Sequence, residues 1–222
     1  MRPMNLRFAL MFASVLPLAG QAAGIGVRAG TTGIGGDVGF DVAPTLSARI
    51  GYSALNFNKS VNSGDVHYDG KVKLSNLNGL LDWSPLPGPF RVTGGVILND
   101  NRYDVNGQPA SNGTFTINGN TYQASQVGSV NGTVKSGRPL APYLGVGYGN
   151  VSGKGVNFYF DLGVMFQGSP KATLNASCGA GLSAAQCSQL QNDTAEESRR
   201  LEDKLNRYKY FPVANVGVTI GF

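Results

Sequence analysis

Few side chains in this 222-residue chain have the types and spacing that chemistry demands. Its one histidine, His67, stands between Asp65 and Asp69. An imidazole steadied by a carboxylate is the base that a serine nucleophile requires. No serine near His67 lies in a specific motif, and a lone histidine among acids is more simply a solvated one, so no catalytic residue is assigned. Cys178 and Cys187 lie close together and would close a small disulfide loop in an oxidising compartment. Without a second cysteine pair or a histidine cluster, a zinc site is not supported. No Gly-x-x-x-x-Gly-Lys-Ser/Thr loop is present to cradle phosphates, and no cofactor is implied.

The ionic residues are more informative, because they keep step with a two-residue period. Val156, Phe158, Phe160, Leu162, Val164 and Phe166 share one parity, against Asn157, Tyr159, Asp161, Gly163, Met165 and Gln167. Successive side chains on a strand point to opposite faces, so this segment has an apolar wall and a slim polar one. Similar alternation runs through 25–29, 34–42, 46–57, 66–83, 90–96, 144–148 and 214–222. The polar parity carries Arg28, Asp37, Asp41, Arg49, Lys71, Lys73, Asp82, Arg91 and Asp161. Confined to the axis of a narrow barrel, such charges must pair, since an isolated buried ion is costly. The expected arrangement is an internal salt-bridge network that plugs the axis; the alternative is a narrow path gated by the same pairs.

These residues need strands to position them. Connections at 43–45, 84–89 and 150–154 are short, whereas 58–64, 104–132 and 172–210 are long; only the turn at 31–33 is short where a long loop is expected. Barrels of the bacterial outer membrane have short turns on the periplasmic side and longer loops outside, so both ends fall on the short-turn side and the strand count is even, namely eight. The alternation changes parity within 46–57, from Ile50 and Tyr52 to Leu55 and Phe57, and within 66–83, from Val72 and Leu74 to Leu77, Leu81 and Trp83. Either a β-bulge or the strands' exit from the membrane would produce this. Inside the long loops, 114–122 reads as a hairpin turning at Asn118-Gly119. The stretch 183–208 reads as a helix, opened by the capping box of Ser183 and Gln186 and stopped before Pro212.

At the N-terminus, Arg2 and Arg7 precede an apolar run over 8–18 and the small residues of Ala19-Gly20-Gln21-Ala22-Ala23. This predicts a signal peptide over 1–22 and a single barrel domain over 23–222. Losing those two arginines lowers the formal charge from +5 to +3, and no nucleic-acid partner is expected. Only 14% of residues are charged while 32 are glycine, and a globular enzyme usually carries more charge than that. Aromatic girdles are expected from Tyr52, Trp83, Tyr103, Tyr143 and Tyr148.

The hairpin running from Gly36-Asp37-Val38-Gly39-Phe40 through Ala43-Pro44-Thr45 to Arg49-Ile50-Gly51-Tyr52, with the terminal Val218-Thr219-Ile220-Gly221-Phe222, resembles the small eight-stranded outer-membrane proteins of Gram-negative bacteria. That class is typified by the transmembrane domain of outer-membrane protein A and by outer-membrane proteins X and W. The Phe166–Pro170 stretch and the helix before the last strand look closer to a proteobacterial outer-membrane protein group. The resemblance implies an all-β, eight-stranded antiparallel up-and-down transmembrane β-barrel, with a short helix in the last long loop, in the cell outer membrane. It implies that Val218, Ile220 and Phe222 form the signal read by the barrel assembly machinery. Its expected surroundings are outer-membrane lipid and lipopolysaccharide, and its expected state is a monomer. The leading expectation is a structural or surface-interaction role without a wide diffusion pore. A narrow channel for ions or small hydrophobic molecules is the alternative, ahead of a lipid-modifying enzyme or a soluble calycin-like carrier with its apolar face inward.

Overall fold

The structure is a computed structural model and describes residues 22–63, 66–109, 113–124 and 126–222. The targeting segment expected over 1–22 lies outside the described residues but for Ala22, and so does Asp65 beside His67. The described chain opens with β1 (Ala23–Gly30), β2 (Gly33–Ala43), β3 (Leu46–Ser63), β4 (Val66–Trp83) and β5 (Phe90–Asn99). Then come β6 (Arg102–Pro109), β7 (Thr114–Ile117), β8 (Asn120–Gln123), β9 (Val127–Lys135) and β10 (Leu140–Tyr148). β11 (Gly155–Met165), β12 (Lys171–Cys178), α1 (Ala184–Leu205) and β13 (Phe211–Gly221) complete the order.

Eleven strands make one antiparallel sheet in the order β12-β9-β6-β4-β3-β2-β1-β13-β11-β10-β5, and β5 also pairs with β4. That pairing joins β4-β3-β2-β1-β13-β11-β10-β5 into a ring of eight strands. It is possible because β4 serves two partners: residues 76–83 bond to β5, and residues 66–73 bond to β6. Asn101 sits in the fork, where its Oδ1 accepts from Ser75 N and Asn76 Nδ2, both at 3.0 Å. Beyond the fork, β3, β4, β6, β9 and β12 continue as an open sheet outside the ring.

The eight alternating segments fall in the ring strands. The regions read as long loops do not remain loops: β3 and β4 extend into the first, β6 and β9 flank the second, and β12 and α1 occupy most of the third. The 114–122 hairpin turns with Asn118 at φ 51° and Gly119 at φ 81°, the paired left-handed conformations that a two-residue type I′ turn needs. Ser183 caps α1 reciprocally with Gln186. Leu190 of that helix is buried with Ile117, Tyr122 and Val127, which holds the hairpin against the open sheet. Cys178 and Cys187 are joined, tying the end of β12 to the first turn of α1. The helix also covers the free edge of β12: Ala172 N donates to Glu202 Oε1 and Leu174 N to Ser198 Oγ, both at 3.1 Å. Edge amides left bare would invite pairing with another chain.

No bulge explains the parity changes. β3 and β4 stay in one unbroken register from Leu46↔Trp83 to Ser63↔Val66. What changes is the surroundings. Within the ring the outward side chains are apolar, up to Tyr52 and its partner Leu77, both exposed. Above the fork, the same outward face carries Asn56, Asn58, Lys71 and Lys73, and the opposite face carries Leu55, Phe57, Val72 and Leu74. There the hairpin and α1 lie over the inner face, so apolar groups change sides.

Candidate functional site

The ring encloses a small ionic core. Arg28, Asp37, Arg49, Asp82, Arg91 and Asp161, six of the nine charges expected inside, are each at most 5% exposed. Three cations face three carboxylates, so the core is neutral. Arg49 and Arg91 share the carboxylates of Asp82 and Asp161 in a closed four-membered circuit, with separations of 3.2, 2.7, 3.2 and 2.5 Å. Thr93 Oγ1 donates to Asp82 at 2.6 Å. Arg28 pairs with Asp37 at 3.1 Å and donates to Asn78. The two clusters meet at Tyr159, whose hydroxyl donates to Asp37 at 2.5 Å and whose ring lies 5.3 and 5.4 Å from the guanidinium carbons of Arg49 and Arg91. A cation over an aromatic face is attracted by the ring's quadrupole, so Tyr159 links the pairs without adding charge.

Glycine provides the room. A Cβ on Gly217 would stand 2.3 Å from Tyr159 Cζ, and one on Gly147 would stand 2.6 Å from Arg91 Nε. Large inward side chains therefore need facing positions without any.

The remaining expected members lie elsewhere. Asp41 is half-buried at the short-turn mouth, accepting from Ser47 at 3.0 Å and Ser152 at 2.5 Å. Lys71 and Lys73 are not in the interior; they are exposed on the outward face above the fork, where Lys73 pairs with Asp100 at 3.4 Å. Their assignment followed the apolar parity across a segment in which that parity inverts. Tyr143, expected in a girdle, is 4% exposed and packs inside the ring with Leu80, Ile97, Ala141, Met165 and Val213. This apolar cluster escaped the sequence reading, which filled the axis with glycines and charges alone. Tyr159 stood on the polar parity and was findable there. Asn101 sits between strands and had no periodic signal. Ile220 and Phe222 are exposed on the outer wall, and Val218 is half-buried.

His67 lies at the tip of the β3–β4 extension, 3.2 Å from Asp69 and 2.5 Å from Asn62. Ser60 Oγ donates to Asp69 at 2.5 Å, and that bond holds the Asp69 carboxyl below its usual range. The hydroxyl is thus committed to the acid and not to the imidazole.

Space in the ring is scarce. A cavity of about 10 Å³ between Arg28, Asn76, Asn78 and Asp161 has room for about one water. Larger hollows flank it. One of about 420 Å³ at the short-turn mouth touches Asp41, Asp82 and Arg91. Another of about 430 Å³ lies at the opposite rim between Asn101, Tyr103, Gln167, Leu205, Tyr208 and Phe211. Such a core can hold charges rigidly between the two hollows.

No protein-family profile and no curated protein matches the chain. Among solved structures, it is similar to CarO2 of Acinetobacter baumannii, with 23% identity over 90% of this chain and 98% of that one, at a TM-score of 0.61. It is likewise similar to CarO of Acinetobacter baumannii, with 24% identity, the same coverage of both chains and a TM-score of 0.61. At such identity the likeness is one of fold: an all-β antiparallel sheet accompanied by a short helix.

Proposed function

We propose that this chain is an integral outer-membrane β-barrel of eight strands with a structural or surface-interaction role, not a wide diffusion pore. The observation that carries this reading is the outward apolar belt. Ile25, Val27, Phe158, Phe160, Leu162, Val216, Ile220 and Phe222 are all exposed while the ions are buried, the reverse of a soluble carrier. From Val156 to Phe166 the outward run spans ten residue steps, about 34 Å along the strand. At a tilt of about 35–45° that becomes about 25 Å, the height of the apolar band in such barrels. The belt ends in one registered row, Tyr52↔Leu77↔Leu98↔Leu140. The short turns then face the periplasm, and the open sheet, hairpin and α1 stand outside the cell. Lipid surrounds the belt, the assembly machinery reads Val218, Ile220 and Phe222, the barrel is a monomer, and no catalytic step is assigned.

The test is to express the exporting chain and separate membranes from soluble periplasm. Recovery in outer-membrane pellets that resist alkaline washing is expected, together with quenching of Trp83, the only tryptophan, by bromines on lipid acyl chains in reconstituted vesicles. A soluble product with unquenched Trp83 would overturn the reading.

A narrow channel for ions or small hydrophobic molecules is the second reading. It is favoured by the two hollows of about 420 and 430 Å³ and by Asn76 Oδ1, Asn78 Nδ2 and Asn101 Nδ2, buried without partners between them. Planar bilayers decide: unitary conductance altered in Arg49→Met or Asp161→Asn supports it, and silence at every voltage removes it.

A further inference from the structure

The register of the open sheet aligns cations that the barrel reading leaves unused. Lys73 pairs with Arg102, Arg102 with Lys135, and Lys135 with Lys171. Directly paired residues point to the same face, with Cβ atoms about 5 Å apart. Four cations thus stand abreast on β4, β6, β9 and β12, with Lys71 one step above on the same face of β4. Two carboxylates answer them: Asp100 lies 3.4 Å from Lys73 and Asp104 lies 2.8 Å from Arg102. Asp104 also accepts from Thr133, and Glu202 is turned to the Ala172 amide. Among the described residues Lys135 and Lys171 face each other without an ion pair, and both are exposed. Like charges directly opposed across a sheet are destabilising, so the row calls for an anion that the described residues do not provide.

Its height identifies that anion. Lys73 is four residues from Leu77 at the upper edge of the belt, or about 13 Å along the strand and about 10 Å of height at the tilt of a small barrel. Headgroups occupy about the first 5–8 Å beyond the hydrocarbon layer, and a lysine stem bends back toward that depth. The row also faces outward, continuous with the belt and opposite the hairpin and α1. We propose that Lys73, Arg102, Lys135 and Lys171 form a strip that binds the phosphates of anionic lipid headgroups in the leaflet from which the open sheet rises. This rests on the lipid-facing reading of the belt.

The test uses the full mature chain, refolded and freed of lipid in neutral detergent. Diphosphoryl lipid A, the same lipid stripped of its phosphates, and phosphatidylcholine are titrated in, and bound lipid is counted by native mass spectrometry. Wild type is expected to retain the diphosphoryl form selectively. Lys135→Gln/Lys171→Gln should bind it about thirtyfold more weakly, about fivefold for each cation near a charged surface. The control Lys59→Gln/Lys204→Gln, neutralising exposed lysines off this row, should match wild type. Folding is monitored by circular dichroism, and without lipid the first variant should be at least as stable as wild type, because a repulsion has gone. Equal binding by wild type and Lys135→Gln/Lys171→Gln would overturn the proposal. So would inorganic phosphate displacing lipid A at equal phosphate concentration, which would make the ligand a free anion. Bromolipid quenching of Trp83 is read on the same samples; if it fails, the lipid-facing reading fails, whereas quenching with no phosphate selectivity rejects the strip alone.

Discussion

Replacing Asp161 with asparagine isolates the energetics of the ionic core. The side chain keeps its volume, so no cavity forms, but the carboxylate is removed from Arg49 at 2.7 Å and Arg91 at 2.5 Å. Both arginines are at most 2% exposed, and the core passes from neutral to one excess positive charge. Removing one partner of a buried ion pair costs about 3–5 kcal/mol, mostly because the survivor keeps its desolvation penalty. Asp82 still holds both arginines at 3.2 Å, which points to the lower half of that range. Against a total stability of about 5–15 kcal/mol, the loss is large. Adding Arg91→Met restores neutrality and leaves Arg49 with Asp82. The double variant should therefore be less destabilised than the sum of the two single changes by about 2 kcal/mol, within the span seen for contacting residues. Urea unfolding in neutral-lipid vesicles, followed by Trp83 fluorescence and circular dichroism, measures all three. An Asp161→Asn midpoint within about 0.5 kcal/mol of wild type, the usual scatter of surface changes, would mean that water already solvates these ions and the plugged core is wrong.

Gly217→Val should destabilise by about 1–3 kcal/mol through overpacking, because its Cβ would lie 2.3 Å from the Tyr159 ring; Tyr159→Ala should relieve part of this in the same unfolding assay. Outside the belt, Asp193 accepts from Tyr122, Asn120 and Asn118, and these bonds, that of Tyr122 foremost, hold its carboxyl below the ordinary 3.8. Burial, then the bond to Asp193, pushes the Tyr122 phenol up from 10 to about 12. The Asp193 contribution is complete above pH 3.8 and fades as pH falls through the lowered value, while that of Tyr122 is complete below pH 10 and fades as pH rises through about 12. Methyl resonances of Ile117 and Leu190 should hold their dispersed positions between those limits and collapse outside them; constant shifts down to pH 2 would refute the clamp. Reducing Cys178–Cys187, which closes a nine-residue separation, should cost about 2–3 kcal/mol of loop entropy, seen as faster amide exchange confined to the first turns of α1 and the end of β12.

The ring was legible because each of its strands must turn one face outward, and alternation survives wherever that face is uniformly apolar. Parity alone puts Asp37, Asp82 and Asp161 on the inward face, but it reports a face and not a height. That Arg49 meets Asp161, 112 residues away, depends on the stagger between strands, which no single segment encodes. β6, β9 and β12 were hidden by their own two-sided exposure: with water on one face and a loose cover on the other, Asn106, Gly107, Asn131, Gly132 and Asn175 are tolerated in strand interiors. Lys71 and Lys73 were misplaced for the same reason that makes the inversion useful. Polarity switches faces where the environment does, while the backbone carries straight on.

The sharing of β4 between the ring and the open sheet has a mechanical consequence. A loop can swing clear of a mouth on a soft hinge, but here the outer structure is rooted through the same unbroken backbone that builds the wall, with β3 bonded alongside for the full length. Tilting it away would tear the ladder at the Asn101 fork. On the channel reading, the axis opens through rotamer changes among Arg49, Arg91 and Tyr159, and engineered cross-links between the open sheet and the ring should leave the conductance unchanged.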